Sequence, residues 1–218
     1  MEHRPRFETL SLGLTLALVG GSLDCYSYLN RGQVLATAET GNLVLLGIQL
    51  AQGRLDLALR YLPPILAYTL GVLAVELLCR MERRAGRLDW RQLVLLLECA
   101  AVAVAALLPS GELAPLANVL IAFSSAMQVE SFRTIAGCPC ATTMCTGNLR
   151  AGTENLFLRL NTGDREAGRK AGVYWGLILS FVTGAVISGV ATPHLGSKTA
   201  FVPCLMLAAA FCLSDSRH

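Results

Sequence analysis

Apolar residues gather in blocks at 10–29, 61–79, 92–108, 114–132, 171–191 and 199–213, separated by short polar connections. A helix rising 1.5 Å per residue needs about 20 apolar residues to cross a hydrocarbon core of about 30 Å. Each block is therefore predicted to be a membrane-crossing helix, the last one short. Two further apolar segments, 42–52 and 148–158, behave differently. Each follows the same four letters, Thr40-Gly41-Asn42-Leu43 and Thr146-Gly147-Asn148-Leu149. Each would form a helix only roughly 16 Å long, about half of the core.

Charge placement bears on whether these two segments cross. Basic residues mark the cytoplasmic loops of membrane proteins. By that rule the loop with Arg80, Arg83, Arg84, Arg87 and Arg91 is inside, as are Arg4 and Arg6, the stretch with Arg159, Arg165, Arg169 and Lys170, and the end with Arg217. The connections 109–113 and 192–198 carry almost no basic charge and belong outside. Between an inside N-terminus and the inside loop at 80–91 the number of spans is even, and two blocks already supply it. The segment at 42–52 then dips in from the outside and returns. The same parity makes 148–158 a half-helix entering from the inside. The fold expected is an all-α polytopic membrane protein with six transmembrane helices plus two half-helices. It is one membrane domain over 1–218, built as an inverted 3+3 repeat, 9–108 and 113–214. This scheme leaves Arg54 and Arg60 outside, against the charge rule, so an arrangement of full crossings is the alternative.

Composition agrees with a bilayer environment. Of 218 residues 54% are hydrophobic and 15% charged, and the mean hydropathy is +0.53. Soluble domains carry about 25% charged residues. The net charge of +3 comes from Arg between apolar runs, not from a basic stripe with aromatics, so no nucleic-acid partner is expected. The basic start before Leu10 resembles a signal peptide, but no small-x-small site closes the apolar run, so a retained helix is expected. Cys138, Cys140 and Cys145 are the one cysteine cluster among eight cysteines; metal spacing of the C-x2-C type is missing, and packing is the expected role. With no nucleophile–base constellation and His3, His194 and His218 terminal or in a loop, neither an enzyme nor a cofactor is expected.

An offset of 106 residues lays the second Thr-Gly-Asn-Leu on the first without a gap, and with it Glu130 on Asp24, Phe132 on Tyr26 and Thr143 on Thr37. The stretches "GGSLDCYSYLNRGQVLATAETGNLVLLG" and "SAMQVESFRTIAGCPCATTMCTGNLRAGTENL" resemble the two signatures of the YoaK family. That family is a bacterial inner-membrane group, a domain of unknown function. The resemblance implies a multi-pass protein of the inner (plasma) membrane, and implies more about location and fold than about activity. Ala38-Glu39 stands where relatives carry an uncharged pair, and Glu130 where they often have an amide.

The candidate site follows from the half-helices. A helix that starts inside the bilayer leaves its first N–H groups unpartnered, which survives only in protein or beside a wet cavity. Thr40 or Thr146 could cap the helix, Gly41 and Gly147 could permit a tight turn or close approach, and Asn42 and Asn148 could present an amide to a cavity. Asp24, Gln128 and Glu130 complete the set, an intramembrane carboxylate being a functional candidate by default. Converging N-termini favour an anion or a polar solute with acceptor oxygens. The expectation is a channel or secondary transporter. Its partners would be the lipid bilayer and a small polar solute or anion, with a homo-oligomer left open. The alternative is a non-transporting protein or partner subunit in which the motifs are structural. Glu39 with Arg133 is a candidate ion pair, Glu76 and Glu98 read as snorkelling or ion-paired charges, and Gly71 and Gly184 as helix-packing positions.

Overall fold

The computed structural model describes residues 6–85 and 89–215, with side chains from 7–80 and 89–214. Its helices in chain order are α1 (Leu10–Asn30), α2 (Glu39–Ala51), α3 (Leu55–Ala58), α4 (Leu62–Ala85), α5 (Trp90–Leu107), α6 (Ala114–Ser131), α7 (Cys145–Thr162), α8 (Arg165–Leu195) and α9 (Phe201–Asp215). Between α6 and α7 the strands β1 (Thr134–Ile135) and β2 (Cys138–Pro139) pair as an antiparallel hairpin. The readings placed on His3, Arg4, Arg87, Arg217 and His218 fall outside the described residues, as do the side chains of Arg6, Arg83 and Arg84.

Every apolar block is a helix, and at α1, α5 and α8 a polar residue marks where it begins. Thr9 accepts from Leu12 N at 3.4 Å, Asp89 from Arg91 N at 2.9 Å and Asp164 from Glu166 N at 2.8 Å, so α1, α5 and α8 start at side-chain caps. Apolar periodicity places α8 at 171–191, yet it runs for 31 residues. The Asp164 cap and the Glu166–Arg169 pair at 2.6 Å carry it through polar positions that hydropathy does not register. For the same reason α7 has 18 residues rather than the span 148–158: the Arg150–Glu154 pair at 2.9 Å continues it, and Gly163 at φ 73° stops it. α2 has 13 residues, about 20 Å, still short of a full crossing.

Among the described residues, four helical stretches are long and apolar enough to cross a membrane: Leu10–Asn30, Leu55–Arg80, Trp90–Leu107 and Arg165–Ser214. The last runs through both α8 and α9. α6 is outside this set, its apolar run diluted by Asn118, Gln128 and Glu130. The chain is all-α, apart from the hairpin, with the helical and apolar make-up of a membrane protein.

The helices pack in matching pairs. α1 lies along α8 and α4 along α6; α9 adds to α1 as α5 adds to α6. At the crossing of α5 and α9 the Cys99 thiol lies 3.8 Å from the Cys204 carbonyl, and the Cys204 thiol 3.8 Å from the Cys99 carbonyl. Small residues bring the main chains together. A Cβ on Gly21 would meet the Phe181 carbonyl, one on Gly184 the Leu18 carbonyl, and one on Gly71 the Phe123 carbonyl. Gly71 and Gly184 are therefore packing positions, as their sequence setting suggests. The largest core cluster joins Leu12, Leu16 and Leu23 of α1 to Val102, Ile121 and Leu207 of α5, α6 and α9.

Candidate functional site

The two loops that precede the Thr-Gly-Asn helices both run back toward the middle of α1. The first starts beyond the C-terminal end of α1, where Asn118 Nδ2 donates to Arg31 O at 2.8 Å. Ala36 N then donates to Ser27 Oγ at 3.1 Å, and Thr37 N to Asp24 Oδ1 at 3.0 Å. The second loop starts at the opposite end. Phe132 packs on Phe7 with ring centroids 6.5 Å apart, Ile135 fills the space beside Gly13, and Thr142 and Thr143 come within 3.1 Å of where a Gly20 Cβ would stand. Gly20 is midway between Leu10 and Asn30. Having reached this level, α7 turns back along α8, with Gly152 beside Tyr174 and Gly168 beside Arg159.

Only the asparagine of each triplet is buried. Asn42 Nδ2 donates to Leu35 O at 3.3 Å, and Asn148 Nδ2 donates to Ala141 O at 2.7 Å. Under the 106-residue offset these are one bond made twice, each amide reaching the carbonyl seven residues before it. Asn42 also donates to the Glu39 carboxylate at 3.1 Å. Thr40 and Thr146 differ from the sequence expectation. The helices begin at Glu39 and Cys145, so each Thr is already inside its helix and exposed, and the N-cap residues Ala38 and Met144 offer no side-chain cap. Gly41 and Gly147 are helical too, with nothing within 4 Å of an added Cβ, so they serve neither a turn nor a close approach.

The two acids matched by the offset have different surroundings. Asp24 is buried in α1 against the first loop and lies within electrostatic reach of Glu39 at the start of α2 and of Cys145 at the start of α7. Glu130 instead forms an ion pair with Arg133, which is also 4.0 Å from Glu76. Arg133 therefore pairs with Glu130 and Glu76, not with Glu39. These groups border a cavity of about 220 Å³ between the ends of α4, α5 and α6. The second loop is held by Gln128, whose Nε2 donates to Thr142 Oγ1 at 2.6 Å and to Leu16 O at 3.2 Å.

The structure corrects the reading of Glu98 and adds a group, Arg31, that sequence reasoning passed over. Glu98 is fully buried in α5, and neither carboxyl oxygen has a hydrogen-bond partner among the described residues, so it is neither snorkelling nor paired with any of them. Arg31 is also buried: its guanidinium donates to Tyr26 Oη at 2.8 Å and to the carbonyls of Ala105, Leu108 and Pro109 at 2.7, 2.8 and 3.0 Å. It closes the C-terminal end of α5, where orphan carbonyls and the helix dipole favour a cation. The signal available was an arginine placed directly after the first apolar block. In the cysteine cluster, Cys138 packs with Ala17, Ile135 and Leu177. Burial pushes the Cys140 thiol up to about 12.

Residues 12–213 match the family model described as "Protein of unknown function (DUF1275)". No curated protein and no solved structure matches the chain.

Proposed function

We propose that this chain, which belongs to the DUF1275 family of unknown function, is a six-span membrane protein whose two opposed half-helices line a pathway for a small polar solute. The YoaK-type signatures fit this family, and the setting proposed is a bacterial inner membrane with both termini in the cytoplasm. One observation carries the reading: two loops approach the middle of α1 from its opposite ends, and each launches a helix whose buried Asn makes the same bond. Irregular main chain at membrane depth is tolerated where it is enclosed by protein or lines a wet cavity. The pairing of α1 with α8 and α4 with α6, and the reciprocal Cys99–Cys204 contacts, support an inverted 3+3 repeat. Such repeats place solute sites at the crossing of broken helices, in channels and secondary transporters alike.

A non-transporting role is favoured by one feature. Both Asn amides are bonded within their own segment, which a purely structural motif would also require. Flux from proteoliposomes separates the two readings. The solute pathway predicts movement of at least one small polar solute above empty-liposome background, abolished by Asn42→Ala or Asn148→Ala in variants that still elute as folded protein. No movement across a panel of anions, cations and neutral metabolites would leave the structural reading standing.

A further inference from the structure

The amide orientations at the two loop ends bear on what this site can bind. Asn42 Nδ2 is committed to Leu35 O and the Glu39 carboxylate, Asn148 Nδ2 to Ala141 O, and Gln128 Nε2 to Leu16 O. Carbonyl and carboxylate oxygens only accept, so the NH2 end of each amide must face them and the oxygen end is what remains. Asn42 and Gln128 are both fully buried, and Asn42 Oδ1 and Gln128 Oε1 have no hydrogen-bond partner among protein groups. Glu39 Oε1 and the Thr143 hydroxyl, which belong to the same two loop ends, are also buried without one. Asp24 takes its hydrogen bond from the main chain at Thr37, and Glu39 takes its own from an amide, so neither bond neutralises charge.

Against this stands the pull of the helix ends. An N-terminus is equivalent to roughly half a positive charge. At α2 that half charge meets the Glu39 carboxyl group in its own first turn. At α7 the first turn carries no acid, but Asp24 lies within electrostatic reach of Cys145 there. Two carboxyl groups and two orphan amide oxygens outnumber two half dipoles. The orphan oxygens also demand donors, which an anion without O–H or N–H groups does not supply.

We infer that the solute taken by this site is a hydrogen-bond donor, a small organic cation of the guanidinium or primary ammonium class, and not an anion. The solute lies against Asn42 Oδ1, with Glu39, which is bonded to the same Asn42, and Asp24 supplying the opposite charge. This rests on the proposed solute pathway and reverses the anion expectation drawn from helix dipoles alone.

The test is uptake into proteoliposomes of guanidinium on one arm and of nitrate and chloride on the other, at matched osmolality and clamped membrane potential. Guanidinium uptake at least tenfold above empty liposomes, and lowered at least tenfold by Asn42→Leu, is the expected result. Asp24→Asn keeps an acceptor for Thr37 N and hence the loop; it lowers guanidinium uptake similarly and covers the case in which Asn42→Leu does not fold. Uptake of nitrate or chloride that depends on Asn42, without guanidinium uptake, overturns the donor inference and leaves the pathway intact. Uptake of none of the three, together with no hit in the wider solute panel, removes the pathway itself and the inference with it.

Discussion

Glu98 makes the largest unmet polar demand in the described core. A carboxyl group with both oxygens buried and unpartnered has given up its hydration with no hydrogen bond in return. Removing such a group in favour of an apolar one of similar length should stabilise, since the penalty of an unsatisfied buried polar atom is about 1–3 kcal/mol. Glu98→Met is therefore expected to raise the thermal midpoint in detergent micelles, whereas a lowered midpoint would show that the carboxyl group has a bonding role in the folded protein. Arg31 is the opposite case. Its donors reach three main-chain carbonyls and a phenol oxygen at one helix end. Hydrogen bonds to charged groups are each worth about 1.5–3 kcal/mol and do not add fully. Arg31→Met should cost about 2–4 kcal/mol, with Arg31→Lys in between because an ammonium cannot span the same carbonyls. Equal stability of wild type and Arg31→Met in chemical denaturation would remove Arg31 from that role.

At the level of elements, the glycines divide into two kinds that sequence alone does not separate. A Cβ on Gly71 or Gly184 would run into a main-chain oxygen of the neighbouring helix, so Gly71→Ala and Gly184→Ala force the α4–α6 and α1–α8 pairs apart. Overpacking of this kind typically costs about 1–3 kcal/mol. Gly41→Ala and Gly147→Ala meet open space on a helix and should be neutral or stabilising by up to about 1 kcal/mol. Thermal midpoints of the four variants check this, and a fall for the second pair as large as for the first would mean that another chain or segment lies against α2 and α7. The helices themselves were legible because length and apolarity are local properties. What stayed hidden depended on direction. The triplets look like helix starts, but the chain begins each helix one or two residues earlier, so Thr ends up exposed and Asn is the residue turned inward. The β1–β2 hairpin, turning through Ala136 at φ 51° and Gly137 at φ 77°, lies in a stretch read for its cysteines, as packing residues, and too short to show a strand pattern. The offset of 106 sets Glu130 opposite Asp24, yet the second loop is held by Gln128, and Glu130 is turned toward Arg133.

For the whole molecule, the proposed inverted repeat makes a claim about sides of the membrane that packing cannot make by itself. If α1 and α6 cross in opposite directions, the half-helix that follows each must return to the side where its own loop began. The ends of α2 and α7 then emerge on opposite faces. Asp56, in α3 just beyond α2, would be outside, and Asp164, just beyond α7, would be inside. This assignment runs against the basic residues Arg54 and Arg60 beside Asp56, so it sets the repeat geometry against the charge rule directly. The preference of one basic residue for the cytoplasmic side is modest, and the rule acts on sums over loops, in which the five arginines of 80–91 outweigh these two. Asp56→Cys and Asp164→Cys, each in a background whose eight native cysteines are replaced by Ala or Ser, put the question to a membrane-impermeant maleimide on intact cells. Labelling of Asp56→Cys in intact cells, and of Asp164→Cys only after permeabilisation, is the expected result. Labelling of both on the same side would make one of the Thr-Gly-Asn segments a full crossing and end the inverted scheme. In that event the shared position of the two loop ends on α1 would need another account.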